Sequence, residues 1–548
     1  MHLPDIDLSP PRRSTLWTGV AVFVVSLLVL ALAMNRVLGA YDEGLMLYGA
    51  SRVLRGDVLY RDFWSMYGPG SFYLLAALFQ AFGESVWVAR SFDTVCRASI
   101  VVLVFALTRV EGGLRGALST AFVALGLLII APGYEFPVYP AVACALLALL
   151  CCSRGLTPTP RWQPWAAAGF AVGLAVNFRH DSGAYAALVC LYVLFMSRRV
   201  PGHGPAQRRQ HLAAGAAGFA LGIGPTLVWL LIEVPPADLV YNLVHVPLKV
   251  YAANRHLPLP SVPAMWSAVI AQHSPKPLLA LLFYAPLLIS LGAGGFALRH
   301  RLATPANEVV LEALVLLALL FCVKAAIRVE LMHLMPALVL AVLPAAITAF
   351  RSRSRALGTL LMSAAFAIVA VRLVATVEER HRSGRTSITD SNRAISGTAL
   401  ARWVGCTPAV VPQLRCFRID ADRAAVLDYL SRHAVPGRPI YVGAGRHDKL
   451  YVNNVELYFL SGLPAATKWH DLHPGVQTTR EVQVRMLAEM QARPPQFIVL
   501  NTEWDGMAEP NDSARSSGVT LLDDALRAQF ETVFRSGTFT ISKRREAT

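Results

Sequence analysis

Apolar runs of near-membrane length, separated by short arginine-rich loops, leave this chain few ways to fold. The first covers residues 16–34. Others follow at 86–107, 117–130, 138–152, 165–178, 184–196, 212–232, 278–298, 309–323, 331–350 and 357–374. About 20 apolar helical residues cross a ~30 Å hydrocarbon core, so these runs read as spans. Only 16% of the residues are charged, against roughly 25% in soluble domains. The fold class expected is an α-helical polytopic membrane protein with a C-terminal soluble α/β domain.

The net charge of +15 would suit a nucleic-acid binder, but the arginines lie in the wrong places for one. They sit between the runs: Arg109 and Arg115; Arg154 and Arg161; Arg198, Arg199, Arg208 and Arg209; Arg299 and Arg301; Arg351, Arg353 and Arg355. Cytoplasmic loops concentrate Lys and Arg. All five clusters fall inside the cell if the N-terminus is cytoplasmic and the short run 71–82 does not cross. The expectation is about eleven crossings and an external C-terminus. Ala31-Leu32-Ala33 has the small residues of a signal-peptidase site, but the run before it is long for a signal peptide, so it reads as an anchor.

The segment after the first run is Tyr41 to Gly70. Asp42 and Glu43 stand where the chain leaves the membrane, Asp62 lies within Tyr60-Arg61-Asp62-Phe63, and Tyr67-Gly68-Pro69-Gly70 turns back into apolar sequence. Carboxylates at this depth are costly to desolvate and call for a reason. One reason is pairing with Arg52 or Arg55; the other is acid–base chemistry. Adjacent helical residues point about 100° apart, so Asp42 and Glu43 face different surroundings.

Two basic clusters fall on the outer face: Asn177-Phe178-Arg179-His180-Asp181, and Lys324 with Arg328, Glu330 and His333. Lys249 and Arg255 lie in a long outer loop from residue 233 to about 277, part of which suits an amphipathic helix on the membrane surface. Guanidinium forks match phosphate oxygens, although long cations also snorkel to headgroups.

Past residue 374 the composition turns polar. Residues 1–376 read as the membrane domain, 377–419 as a linker and 420–548 as an α/β unit with helices at 421–433, 478–491 and 521–530, and strands near 439–443, 497–500 and 538–541. Cys406 and Cys416 precede this unit and are expected to pair, as an oxidising exterior permits. The other six cysteines read as buried hydrophobes. Gly443-Ala444-Gly445 follows a strand but lacks the phosphate-loop spacing. It reads as a turn, and His447, His470 and His473 as polar surface.

The ordering of a first span, an Asp-Glu pair, Tyr-Arg-Asp, a Gly-Pro turn and an apolar segment ending Phe82-Gly83-Glu84-Ser85 resembles the GT-C superfamily. That group includes the protein mannosyltransferase and aminoarabinose transferase families, and the likeness is strongest to the bacterial RgtA/B/C/D-like branch. The resemblance implies a glycosyltransferase of a bacterial inner membrane, working on the periplasmic face. Its donor would be a polyprenyl-phosphate-linked sugar, its acceptor a cell-envelope glycan or lipid, and its transfer inverting. Asp42 matches the first-loop acid and is expected to act as base, with Glu43 contacting acceptor or metal. Asp62 either lines the site or pairs with Arg61. Arg179, Arg328, Lys249 and Arg255 are expected on the donor phosphate. Whether a divalent metal takes part is left open. The alternative is a transporter or flippase of lipid-linked glycans, which should hold ionisable residues near mid-membrane; these runs are largely free of them.

Overall fold

The computed structural model describes residues 13–131, 133, 134, 136–272, 283–299, 304–351 and 411–545. The run at 357–374, most of the expected linker and Cys406 lie outside the described residues. Within them, seven helical segments are long and apolar enough to cross a membrane: Leu16–Ala33, Val86–Arg109, Gly113–Ile130, Val138–Gly155, Pro205–Glu233, Pro305–Ile327 and Leu331–Phe350. Three further runs become shorter helices, Gln163–Phe178, His180–Met196 and Ala285–Arg299. Seven of the eleven expected crossings thus have full crossing length among the described residues, and the eleventh run falls outside them. Pro69–Phe82 has 14 residues, about 21 Å of helix, and falls short of a crossing as expected.

Chain order begins with α1 (Arg13–Ala33), α2 (Asp42–Leu54), α3 (Pro69–Phe82) and α4 (Val86–Ile130). The Ser85 hydroxyl caps α4 by accepting from the Val88 amide. Gly113, at φ 60°, breaks α4 into two halves, a left-handed conformation that glycine adopts without penalty. The halves run back along each other, because Arg97 in the first donates to the Leu128 carbonyl in the second at 3.0 Å. Arg97 also pairs with Asp93 at 2.7 Å and lies over the Tyr139 ring. These two ionisable groups fall roughly 10–16 Å along α4, deeper than the sequence reading allowed. Both are buried and turned on each other, so they clamp the hairpin.

Next come α5 (Val138–Gly155), α6 (Gln163–Phe178), α7 (His180–Met196) and α8 (Pro205–Glu233). An outer arm follows, made of Pro236–Val240, the π-helix Tyr241–Tyr251 and Ala252–Arg255. Then come α9 (Val262–Gln272), α10 (Ala285–Arg299), α11 (Pro305–Ile327) and α12 (Leu331–Arg351).

The C-terminal unit contains α13 (Ala421–His433), β1 (Ile440–Ala444), α14 (Glu456–Ser461), α15 (Arg480–Ala492), β2 (Phe497–Asn501), α16 (Leu521–Gln529), β3 (Phe530–Ser536) and β4 (Phe539–Arg544). The strand order is β1-β2-β4-β3, with β1 and β2 parallel and β4 antiparallel to both its neighbours. Val442 and Val499, paired in register, are both buried. This is the partly parallel sheet that the helix–strand alternation predicts, with β3 and α14 added.

The unit is not an appendage. The Trp64 amide donates to the Lys468 carbonyl at 2.9 Å, the Glu456 amide to the Ala40 carbonyl at 3.3 Å, and the Ala465 amide to the Tyr48 hydroxyl at 2.7 Å. The histidines read as polar surface are buried: His447, His470 and His473 are all 1% exposed or less. His470 and His473 pack in the seam between the unit and the first loop, against Tyr48, Phe63 and Trp64. His447 lies between Tyr441 and Asp523 inside the unit.

Candidate active site

Asp42 is the first residue of α2, where the unsatisfied amides of a helix N-terminus favour a carboxylate. Two phenols hold its side chain. Tyr67 donates to Oδ1 at 2.7 Å and Tyr134 to Oδ2 at 3.2 Å. Tyr67 reaches Asp42 because the turn after it docks tightly. A Cβ on Gly68 would stand 2.8 Å from the Asn177 carbonyl oxygen, and one on Gly70 2.7 Å from the Asn177 carbonyl carbon. Only glycine permits that approach of α3 to the end of α6. Tyr60, at φ 73°, reverses the loop and donates to the Tyr67 carbonyl at 2.9 Å.

The same close approach sets Arg179 opposite Asp42. Arg179 is the extended residue between α6 and α7. It donates to Asp181 at 3.1 and 3.2 Å and lies over the Phe136 ring. Lys324 shares Asp181 Oδ2 with Arg179, at 2.7 Å, and donates to the Ser182 hydroxyl at 3.0 Å. Arg255 comes from the end of the outer arm and donates to the Tyr451 carbonyl at 2.6 Å. Arg328 follows α11 and forks onto Glu509 of the C-terminal unit at 2.8 and 3.0 Å, while bonding Glu330 at 3.0 Å. Against its burial, the bonds and charges of His333 and Arg328 pull the Glu330 carboxyl down to about 2.

One cavity joins these groups. Asp42, Tyr67, Arg179, Arg255, Arg328 and Glu330 line it. Tyr251 and His333 stand beside them, and Tyr451 and Val452 come from the C-terminal unit. The lining brings together the Asp42 carboxylate, three guanidiniums, of which Arg328 is already paired with Glu330, and the rings of Tyr67, Tyr251 and Tyr451. It can take a proton on one side and hold an anion on the other.

Other expected residues lie elsewhere. Glu43 is buried, ion-paired to Arg90 with one bond at 2.8 Å, and accepts from the Gly39 amide at 2.9 Å. Its partner is thus Arg90, not the Arg52 or Arg55 weighed from the sequence; those pair with Asp57 and Glu84. Asp62 accepts from the Val58 amide at 2.8 Å and pairs with Arg61, away from the cavity lining. Lys249 is exposed on the outer arm and is not part of the lining. Cys416 is disulfide-bonded. The Gly445 amide is used by the Asn501 carbonyl and Asp505, which leaves it no phosphate to cradle. Among the described residues, no group of three or more His, Cys, Asp or Glu is arranged to hold a metal.

Tyr67, Tyr134 and Tyr451 were not singled out from the sequence as site residues, and Glu330 was named only as a member of the outer cluster with Lys324, Arg328 and His333. Tyr67 had a signal, since it opens the Gly-Pro-Gly turn. Tyr134 and Tyr451 had none that distinguishes them from other interfacial tyrosines.

The sequence profile of the dolichyl-phosphate-mannose-protein mannosyltransferase family matches residues 67–229. That stretch carries Tyr67 and Arg179 but not Asp42. No curated protein sequence matches the chain. Among solved structures, ArnT from Cupriavidus metallidurans bound to undecaprenyl phosphate superposes with a TM-score of 0.56 at 14% identity, covering 97% of this chain and 98% of that one. The fold is that of the GT-C glycosyltransferases. ArnT in the apo state matches over the same shares at 15% identity, with a TM-score of 0.56. Arabinofuranosyltransferase AftD from Mycobacteria matches at 15% identity and a TM-score of 0.49, over 98% of this chain and 42% of that one. The ArnT match spans the C-terminal unit as well, so the GT-C likeness is one of the whole chain.

Proposed function

We propose that this protein is an integral membrane glycosyltransferase. It moves a sugar from a polyprenyl-phosphate donor to a cell-envelope glycan or lipid acceptor on the periplasmic face of a bacterial inner membrane. One observation carries the reading: Asp42, aimed by two phenols, faces Arg179, Arg255 and Arg328 across a single cavity. The undecaprenyl phosphate in the ArnT structure supports the donor class.

The transfer is a single displacement. The Asp42 carboxylate takes the proton of the acceptor hydroxyl as that oxygen attacks the anomeric carbon. The bond from that carbon to the phosphate oxygen breaks, and its electron pair leaves with the polyprenyl phosphate. Guanidiniums stabilise the charge that builds on the leaving oxygens. Attack opposite the leaving group inverts the anomeric centre. Tyr67 and Tyr134 keep the carboxylate turned toward the cavity.

The test is reconstitution of the full chain in liposomes with undecaprenyl-phosphate-linked labelled sugars and envelope lipids or glycans. Labelled acceptor together with free undecaprenyl phosphate supports the reading. Counterflow of intact donor without a transfer product overturns it in favour of a transporter.

A further inference from the structure

Besides its backbone bonds to Ala40 and Trp64, the C-terminal unit reaches the catalytic loop through one buried carboxyl side chain. Asp471 has no exposed surface. Its Oδ1 accepts from the Tyr41 hydroxyl at 2.7 Å. Its Oδ2 faces the Ser65 hydroxyl and the Met66 amide, each at 3.4 Å. Tyr41 directly precedes Asp42. Ser65 and Met66 directly precede Tyr67, and the Tyr67 amide in turn donates to the Ser65 hydroxyl at 3.3 Å. A single side chain thus ties down both ends of the segment that carries the Asp42 carboxylate and the phenol bonded to it. Burying a carboxyl is costly unless its bonds return something. Here they return a fixed geometry between two ends of one loop.

Resting on the proposed transferase reading, we infer that Asp471 is a positioning residue for the transfer, and that the C-terminal unit is a working part of the catalytic centre. Asp471 lies outside the cavity lining and acts through Tyr41 and Met66. A base must come within about 3 Å of the proton it takes, and a misplacement of about 1 Å costs on the order of 100-fold in rate. Loosening these ties lowers turnover. Donor binding changes little, because Arg179 and Arg328 are held by Asp181, Glu330 and Glu509, and Arg255 is held by the Tyr451 carbonyl.

The test measures kcat and donor KM, with undecaprenyl-phosphate-linked sugar, for the full chain and for Asp471→Ala, Asp471→Asn, Tyr41→Phe and the Tyr41→Phe/Asp471→Ala double variant. Thermal midpoints are read on the same samples. Asp471→Ala is expected to lose about tenfold or more in kcat, with donor KM within about twofold. Asp471→Asn regains most of that loss, since an amide oxygen still accepts from Tyr41. The double variant is no worse than Asp471→Ala alone, because both remove the same tie. Unchanged kcat in Asp471→Ala, a loss confined to KM, or losses that multiply in the double variant would overturn the inference. Should Asp471→Ala not fold, a folded Tyr41→Phe with unchanged kcat overturns it equally. An active Asp42→Asn chain sinks the base assignment; an inactive one beside an unaffected Asp471→Ala sinks this inference alone.

Discussion

The Tyr67 hydroxyl lies 2.7 Å from Asp42 Oδ1, so the residue that opens the Gly-Pro-Gly turn is bonded to the carboxylate at the head of α2. The bond closes the first loop on itself and turns the acid toward three arginines. Replacing Asp42 with Asn keeps the size and one acceptor oxygen for the phenols but removes the base. Transfer should fall by about 10²–10⁴-fold, with the thermal midpoint and undecaprenyl phosphate binding close to those of the unmodified chain.

Glu43, next to Asp42, predicts a different loss. Its carboxylate and the Arg90 guanidinium are buried together. Glu43→Gln leaves that guanidinium without its counter-charge, at a cost of about 3–5 kcal/mol. Reduced yield and a lower melting point are expected, with specific activity per folded molecule largely kept. A stable but inactive Glu43→Gln protein would contradict this.

Arg179 and Lys249 separate cavity-lining from surface cations. In Arg179→Ala, Asp181 keeps Lys324 at 2.7 Å, so the local fold survives. The loss of one charged donor, about 1.5–3 kcal/mol, should raise donor KM by about 10-fold or more. Lys249→Ala should change donor KM by less than about twofold, because its side chain is exposed and outside the cavity lining. Titration with labelled donor reads both.

Gly44 tests the docking of the C-terminal unit. A Cβ there would stand 2.5 Å from the Glu456 amide nitrogen. Gly44→Ala has to push α14 away from α2, at about 1–3 kcal/mol. A lower melting point and faster proteolysis between the membrane part and the unit are expected.

Two buried carboxyls make stability pH-dependent. Burial pushes Glu456 from an ordinary 4.5 up to about 8 and Asp471 from 3.8 up to about 7. The fold prefers both in the protonated form. Their contribution is therefore complete below the unfolded values, near pH 4, and is lost as pH rises through about 7 to 8. Each contributes a slope of up to about 1.4 kcal/mol per pH unit within its window. Burial holds His470 and His473 well below the ordinary imidazole range, which opposes the carboxyls below about pH 6.5. The melting point of the C-terminal unit should therefore fall from about pH 6.5 to pH 8, and Glu456→Gln should flatten that fall. Differential scanning fluorimetry of the detergent-solubilised chain across that range checks it.

Much of the architecture was legible because its causes are local. Apolar length marked the spans, and helix–strand alternation marked the C-terminal sheet. The exceptions have local causes too. Gln163–Phe178 and His180–Met196 stop short of crossing length because Arg179 is extended between them. Of the residues that line the cavity, Asp42, Arg179 and Arg328 could be named from charge placed where an apolar run ends, and Arg255 as a cation of the long outer loop. Glu43, Asp62 and Lys249 are charges of the same outer segments and lie elsewhere, because a charge's place in the sequence says nothing about which way its side chain turns.

The sequence by itself determined that the chain inhabits a bilayer and carries a small α/β unit after its spans. Hydropathy and periodicity act over a few residues and need no partner. Tertiary structure alone decided that Tyr451 and Val452 line a cavity with Asp42, that Arg328 forks onto Glu509, and that three histidines are buried. Each of these depends on which distant groups satisfy one another once water is excluded. A buried polar atom takes whatever partner the packing delivers, and here that partner can stand 430 residues away, as Asp471 does from Tyr41.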